Sequence, residues 1–433
     1  MKNRLLLVVF SVVCLVALLM PGCAKEAPAP APAPAAEEPT WVIAGSICAL
    51  SGPGAAIHAP SDAAWRDYWK YVNEEKGGVQ GKKGTVKVKT ISCDSEYKAD
   101  KAKQCFSKLK DEGMIVHTHY ASAHSDQLLI DYEAAKIPLI AGSAGVASAW
   151  SDWCYNTVHS GANNMGRSFM NWRKAEWDKA GKTGTLKVGF LGVDEPYTPL
   201  VLYKLDEYAA EVSDSKTKVE AYVEIFPPAA TDCAAQVLRL KDAEVDGIYV
   251  SITHAHGPMV AKSVRRAGID PFEMPVAYAC CAAMEDCITL GGADIMEGMI
   301  GAYWTVPIGH APDIPDPEAM KIAKANWEKW HSGEGPITAI YTMSVVTPAV
   351  FEEALRLALE EITPEELTGE TVKIHGLDRI RDFDELGMCY PFSYTPGDHL
   401  GTKHVSYWQV QNGQLVNVSG WVQAATTKIQ IKK

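Results

Sequence analysis

Short runs typical of β-strands alternate with helical runs along most of the chain. A strand over 41–50 precedes a helix over 59–76, in which Trp65 and Trp69 fall on one face. This alternation is typical of parallel sheets whose strands are joined by crossover helices. We therefore predict an α/β fold. The first series continues with strands over 85–93, 114–119 and 137–142 and helices over 98–112 and 124–135.

A second series of the same kind predicts two Rossmann-like lobes with parallel-rich sheets rather than one wound sheet. Near the C-terminus, Asn412-Gly413 is a strong signal for a type I′ hairpin turn. This hairpin and the late helices over 318–331 and 340–361 must be divided between the lobes. The chain then crosses between the lobes several times, which predicts a hinge of several strands. The second series has strands over 185–193, 218–226, 245–252 and 274–279 and helices over 198–212, 232–243 and 257–267. The predicted lobes are 41–158 with 307–385, and 159–306 with 386–433.

The N-terminal 40 residues differ from the rest of the chain. Two basic residues precede an apolar run over 5–20, which has the order of an export signal and is short for a membrane span of roughly 20 residues. The residues ahead of Cys23 resemble a bacterial lipobox, so we predict a signal peptide over 1–22 and lipidation of Cys23, with simple secretion as the alternative. A Pro- and Ala-rich tether follows over 23–40. These features predict a lipid-anchored protein in the periplasm or at the surface of a bacterium, and they leave the choice of membrane open.

Charge and motif content exclude several classes of function. The formal net charge is −12 at pH 7, and removing Lys2 and Arg4 with the signal peptide changes it to about −14 (−12 minus 2). No basic block follows residue 22, so we predict no nucleic-acid partner, because phosphate binding depends on clustered Lys and Arg. The sequence has no GxSxG, HExxH or Walker A motif. We therefore predict no catalytic residue, no cofactor and no enzyme.

The cysteine count indicates disulfides. Nine of the 11 cysteines remain when Cys14 and Cys23 are set aside (11 minus 2), and an exported protein with nine leaves at least one thiol unpaired. Cys93 ends a predicted strand and Cys105 lies on the next helix, so a local bridge is compatible with the sequence, which does not fix the connectivity. A cluster of three cysteines lies later in the sequence: Cys280, Cys281 and Cys287. It has no CxxC spacing, and we predict no metal site there.

Several short motifs together carry a family resemblance over nearly all of 41–433. They are Leu50-Ser51-Gly52-Pro53, Gly77-Gly78-Val79, Cys93-Asp94, Ser122, Gly142-Ser143, Tyr197 and Gly397-Asp398-His399. In this order, behind an export signal, they resemble the type I periplasmic solute-binding proteins of the leucine/isoleucine/valine-binding kind, the receptors of ABC importers. The resemblance implies a monomeric receptor that closes two hinged lobes on a small solute and delivers it to the importer's permease subunits. The alternative is a sensory module that reports the ligand to a membrane partner.

In open parallel sheets a ligand lies beyond the carboxyl ends of the strands. Ser122, Ser143 and Gly145 follow such ends, and the resemblance implies that they bind the ligand's carboxylate or amino group. Tyr197 opens the second lobe where the family places an aromatic residue against the ligand. The structural alternatives are an N-cap serine, a small-residue turn and a core tyrosine. Two further ligand-facing positions align less closely, with Thr253 and Tyr341.

One departure from the family pattern concerns the ligand's amino group. In amino-acid-binding relatives an acidic residue follows the strand equivalent to 274–279, whereas Cys280-Cys281 stands there in this chain. A buried ammonium without a partner is costly, and Glu285 and Asp286 are the nearby acidic alternatives. We therefore hypothesise that the ligand lacks an α-amino group. The predicted solute is a small polar or carboxylate-bearing molecule, either branched-chain amino acid-like or a related non-amino ligand such as an aromatic acid or amide.

Overall fold

The computed structural model describes residues 39–426, apart from Pro53, Ser160, Asp313 and Glu385. The predicted signal peptide over 1–22, the lipidation of Cys23 and nearly all of the tether lie outside the described residues. Across the described part of the chain, none of the helices combines the length and apolar character that crossing a membrane requires.

Two separate β-sheets organise the described chain. The strands of the first are Thr40–Cys48 (β1), Val79–Gly81 (β2), Gly84–Asp94 (β3), Met114–His119 (β4), Leu139–Ala141 (β5) and Cys154–Asn156 (β6). Their order is β2-β3-β1-β4-β5-β6, and β2 is antiparallel to β3 while the other pairs are parallel. We call this sheet and the helices packed on it lobe 1.

The second sheet has its own parallel core and ends in a hairpin. Its strands are Gly184–Val193 (β7), Thr217–Phe226 (β8), Ile248–Ser251 (β9), Val276–Tyr278 (β10), Ile300–Tyr303 (β11), His404–Gln411 (β12) and Gln414–Gln423 (β13). The order is β13-β12-β11-β10-β9-β7-β8; the pairs β11–β12 and β12–β13 are antiparallel and the other pairs are parallel. We call this sheet and its helices lobe 2. The predicted α/β fold with two lobes is confirmed.

Helices cover both sheets. Those up to the end of the first series are Ala55–Glu74 (α1), Ala99–Asp111 (α2), Ser122–Gln127 (α3) and Leu129–Ala135 (α4). The middle of the chain contributes Ala162–Lys179 (α5), Thr198–Val201 (α6), Leu205–Val212 (α7), Ala234–Asp242 (α8), Gly257–Arg266 (α9), Met284–Gly291 (α10) and Ala293–Met296 (α11). The late helices are Glu318–His331 (α12), Ala339–Ser344 (α13), Val346–Ala358 (α14) and Gly369–His375 (α15).

The hairpin of β12 and β13 turns where the sequence predicts. Asn412 and Gly413 have φ angles of 53° and 76°, as the two central residues of a type I′ turn require. Glycine and asparagine tolerate this left-handed backbone better than other residues. The predicted turn is confirmed.

Late helices complete the core of lobe 1, so the chain passes between the lobes more than once. Trp69 of α1 meets Phe351 of α14 edge to face, with ring centroids 5.3 Å apart. After β11 the chain leaves lobe 2 to build these helices, and it returns to lobe 2 at His404. Tyr394 still belongs to the core of lobe 1. The chain therefore passes from lobe 1 to the sheet of lobe 2 between Tyr394 and His404.

Cys93 at the end of β3 and Cys105 of α2 form a disulfide, with their Cα atoms 5.6 Å apart. Six further cysteines of the described part of the chain lie outside this disulfide, and all six are buried. They are Cys48, Cys154, Cys233, Cys280, Cys287 and Cys389. Among the described residues no three His, Cys, Asp or Glu side chains are grouped so that they would hold a metal ion.

Candidate functional site

A cavity of about 30 Å³ lies where the carboxyl ends of the first sheet meet lobe 2. Pockets that hold small molecules usually enclose about 300–1,000 Å³. The cavity is therefore too small for a solute of this size unless its walls move apart. The walls come from lobe 1 (Ile57, Tyr120, Gly142, Ser143), the crossing segment (Val158, His159), lobe 2 (Cys280) and α13 (Ile340, Met343).

Two predicted site residues, Ser122 and Ser143, meet beside this cavity. Ser122 follows β4 and Ser143 follows β5, and these strands are neighbours in the sheet. The two hydroxyl oxygens are 2.5 Å apart, and the residues are only 3% and 7% exposed. The N-cap position of α3 is held by Ala121, without a side-chain capping bond. The Ser122 hydroxyl therefore serves the serine pair and not the end of the helix.

His159, which the sequence analysis did not select, completes this polar group. Its Nε2 lies 3.0 Å from Ser143 Oγ, and its Nδ1 accepts the Gly161 amide hydrogen at 2.9 Å. Burial lowers the pKa of His159 to about 3, so the ring is neutral near pH 7. Because Nδ1 acts as an acceptor, the single ring hydrogen sits on Nε2 and is donated to Ser143. A histidine that donates to a serine cannot act as the base of a nucleophilic serine.

The loop after β5 is held by Asp126 and by hydroxyls of lobe 1. The Asp126 carboxylate accepts the amide hydrogens of Val146, Ala147 and Ser148 at 2.8–3.1 Å. The predicted site residue Gly145 donates its amide hydrogen to Ser125 Oγ at 2.8 Å and to Ser148 Oγ at 3.0 Å. The Gly145 amide is therefore committed to the loop itself, which fixes the position of Ser143.

The other three predicted site residues do not line this cavity. Tyr197 precedes α6, and its hydroxyl contacts Met165 Sδ of α5. Thr253 follows β9, where its hydroxyl lies 3.5 Å from His256 Nδ1. Tyr341 is fully buried in the core of lobe 1, and its hydroxyl donates to Asp67 Oδ2 at 3.0 Å.

The orientation of Tyr341 follows from the geometry of its helix. Successive residues point about 100° apart, so α13 presents Ile340 and Met343 to the cavity while Tyr341 faces the core. The sequence locates this helix but does not say which face meets the cleft. Residues three apart lie on one face of a helix, so helical periodicity offers Ile340 and Met343 together as the other candidate face.

The two acidic residues that follow Cys280 differ in their partners. Glu285 accepts a hydrogen bond from the Tyr303 hydroxyl and another from the Gly309 amide. Asp286 accepts the amide hydrogen of Ala339, at the start of α13, at 3.3 Å, and its Oδ2 has no partner among the described residues. Burial raises the pKa of Asp286 to about 6. Glu285 is therefore structural, and Asp286 bridges lobe 2 and α13.

Comparison with protein families places the chain. A family model described as a periplasmic binding protein matches residues 42–414. This chain belongs to the periplasmic binding protein family. The family and its structural neighbours are solute-binding and receptor proteins that act outside the cytoplasm and are not enzymes. This confirms the prediction that the protein is not an enzyme and, of the predicted location, the part that places it outside the cytoplasm. Among curated proteins, none matches the sequence at a significant level.

Solved structures of periplasmic binding proteins share the fold at low identity. A branched-chain amino acid ABC transporter protein from Thermus thermophilus with bound valine is 20% identical, with a TM-score of 0.73 over 90% of this chain and 97% of that chain. A fatty acid ABC transporter substrate-binding protein from Thermomonospora curvata is 17% identical, with a TM-score of 0.71 over 89% and 92%. A leucine-binding protein from Thermotoga maritima is 17% identical, with a TM-score of 0.64 over 87% and 97%. At these identities the likeness concerns the fold.

Proposed function

We propose that this protein captures a small carboxylate-bearing solute outside the cytoplasm by lobe closure and delivers it to an ABC importer. The observation that carries the proposal is the cavity between the lobes, in whose mostly apolar wall lies Ser143, hydrogen-bonded to the buried Ser122. Hydroxyl donors in a water-poor site stabilise a carboxylate, and apolar side chains such as Ile340 and Met343 suit an aliphatic or aromatic body. Closure is then favoured because the solute contacts both lobes only when they are shut.

A thermal-shift panel on the wild-type protein tests the class of solute. The panel contains leucine, 4-methylpentanoate, 4-methylpentanamide and phenylacetate, which separate the carboxylate from the α-amino group and the aliphatic body from an aromatic one. We expect the two acids without an amino group to raise the melting temperature. A panel in which leucine alone stabilises the protein would reject the absence of an α-amino group, and a panel with no stabilising acid would reject the carboxylate.

Ser122→Ala is expected to weaken the binding of 4-methylpentanoate by about 1–3 kcal/mol, measured by calorimetry. The reason is that the variant removes one partner of a buried carboxylate. Ser263→Ala is the matched control, since Ser263 is also buried but bonds the backbone oxygen of Met259 in α9 of lobe 2. Equal affinities for wild type and Ser122→Ala would remove Ser122 from the site.

Asp286→Asn is expected to leave the affinity for 4-methylpentanoate within about threefold of wild type. Asparagine keeps an acceptor for the Ala339 amide and removes the charge. An amino acid whose ammonium paired with the unmatched Asp286 oxygen would instead lose most of its affinity. Calorimetry with leucine and 4-methylpentanoate on both proteins separates the two cases. Loss of 4-methylpentanoate binding in Asp286→Asn would assign Asp286 to the carboxylate site and contradict our interpretation.

We propose that the mature protein is monomeric and is held to a membrane only by a lipid on Cys23. Support comes from the lipobox-like residues ahead of Cys23 and the Pro- and Ala-rich tether after it. Mass spectrometry of the mature N-terminus distinguishes a lipidated Cys23 from simple secretion. Uptake of a labelled solute by cells with and without this protein distinguishes import from sensing.

A further inference from the structure

Ser122, Ser143 and His159 together carry one more donor hydrogen than their mutual hydrogen bonds use. Ser122, Ser143 and His159 bring three polar hydrogens to this point: two hydroxyls and one ring N–H. One of these hydrogens links the two hydroxyl oxygens, and the ring N–H goes to Ser143 Oγ. One hydroxyl hydrogen of the pair is therefore left without an acceptor among the described residues. Leaving a buried donor unmatched costs about 1–3 kcal/mol, which a ligand acceptor removes.

His159 sets the direction of the hydrogen bonds among these three side chains. Its Nδ1 lone pair is occupied by the Gly161 amide hydrogen, so the neutral ring has its hydrogen on Nε2 and donates toward the serines. The ring is 1% exposed and packs edge-on against Trp304, with centroids 5.9 Å apart. A ring held at both nitrogens and by Trp304 keeps this tautomer and orientation. Ser143 must then direct its own hydroxyl hydrogen away from His159.

We propose that His159 is a positioning residue that aims the unmatched hydroxyl hydrogen of the Ser122–Ser143 pair into the cavity. The site then selects a ligand group that only accepts hydrogen bonds, such as a carboxylate, and disfavours an ammonium. This inference rests on the proposed function, because it assumes that the solute occupies this cavity. It adds a residue from the crossing between the lobes to the two serines that follow strands of lobe 1.

Two substitutions test the roles of the two His159 ring nitrogens separately. The amide nitrogen of glutamine reaches about as far as Nε2, so His159→Gln keeps a donor for Ser143. The shorter His159→Asn keeps an acceptor for the Gly161 amide and loses the donor. We expect His159→Gln to bind 4-methylpentanoate within threefold of wild type and His159→Asn to bind it at least tenfold more weakly, by calorimetry. We also expect 4-methylpentylamine to bind none of the three proteins. Thermal unfolding of each variant checks that it is folded.

The opposite ranking would mean that His159 only holds the backbone at Gly161, and equal affinities would mean that it does not affect the site. Either result overturns the inference.

Nitrogen-15 NMR of the histidine side chains provides a test without ligand. We expect a neutral His159 with its hydrogen on Nε2 from pH 5 to pH 8, and a shift of that hydrogen's signal in Ser143→Ala. A hydrogen on Nδ1, or no response to Ser143→Ala, also overturns it. If no acid bound to the wild-type protein but the NMR result held, the proposed solute class would be rejected, and the proposed selectivity for a carboxylate with it. The hydrogen bond from His159 to Ser143 would still be established.

Discussion

Lowering the pH from 7.5 to 5 is expected to reduce the free energy of unfolding by several kcal/mol. The cause is a set of buried histidines in and beside the site, which stay neutral in the folded protein. Burial lowers the pKa of His58, His117 and His159 to about 3 and that of His124 to about 4. It also lowers the pKa of His119, which lies between His117 and His124.

The direction of the effect follows from proton uptake. In the unfolded chain these histidines regain a pKa near 6.5 and bind protons below it, whereas in the folded chain they do not. Their contribution is therefore constant above about pH 7 and becomes destabilising as the pH falls, by up to about 1.36 kcal/mol per pH unit for each group. At pH 5 this is about 2 kcal/mol for each histidine, against total stabilities of about 5–15 kcal/mol.

Two buried carboxyls act in the opposite direction. Burial raises the pKa of Glu285, and it raises that of Asp286 to about 6. The folded protein therefore takes up protons at these two groups before the unfolded chain does, which stabilises it as the pH falls toward 4. Two carboxyls offset only part of the loss from five histidines, so the net effect stays a loss.

Urea unfolding at pH 7.5, 6 and 5 measures this dependence, and a pair of variants isolates its origin. His117 is fully buried and lies between Phe106 and Tyr132, with ring centroids 5.2 and 5.5 Å away. His117→Phe should therefore make the free energy of unfolding depend less steeply on pH, by about the contribution of one histidine. Phe106→Leu disturbs the same packing without changing a titratable group, so it should lower stability and keep the slope. A free energy of unfolding that does not change between pH 7.5 and 5 would contradict the assignment.

The elements that the sequence predicted best are those with a strong local signal. Helix α12 spans the predicted 318–331, and β4 spans the predicted 114–119. The predicted helix over 340–361 is divided into α13 and α14 at Val345, because tertiary packing on both lobes overrides a continuous apolar pattern. Local periodicity therefore identifies the elements, and contacts between lobes decide where they break.

The site was predictable where it depends on strand ends. Ser122 and Ser143 follow neighbouring parallel strands, so topology alone brings them together. His159 reaches the pair from the crossing between the lobes, and its role depends on which nitrogen the Gly161 amide occupies. Neither the position of that crossing nor a hydrogen-bond direction leaves a pattern in the sequence. The apolar wall from α13 was missed for the related reason that a helix fully buried between two lobes has no polar face to orient it.

Gly142→Ala is expected to disrupt the site although it adds a single methyl group. A Cβ atom at this position would lie 2.2 Å from Tyr120 Cε1 and 2.4 Å from Cζ. The ring cannot easily withdraw, because the Tyr120 hydroxyl lies 3.0 Å from the Ser344 carbonyl oxygen and 2.7 Å from Thr347 Oγ1. Either these bonds break or the loop after β5 moves and separates Ser143 from Ser122. Overpacking of this kind costs about 1–3 kcal/mol, and we expect at least a tenfold loss of affinity for 4-methylpentanoate.

A second substitution at Tyr120 tests the cause. Tyr120→Ala alone should destabilise the protein, because it leaves a cavity and removes the bonds to Ser344 and Thr347. In Gly142→Ala the same substitution removes the collision, so the double variant should be more stable than the sum of the two single losses predicts, by about 1–3 kcal/mol in a double-mutant cycle. Gly333→Ala is the control, since no atom lies within 4 Å of a Cβ there. Additive losses at positions 142 and 120 would show that the methyl group acts elsewhere, and the tight approach of Tyr120 would then not be what holds Ser143 against Ser122.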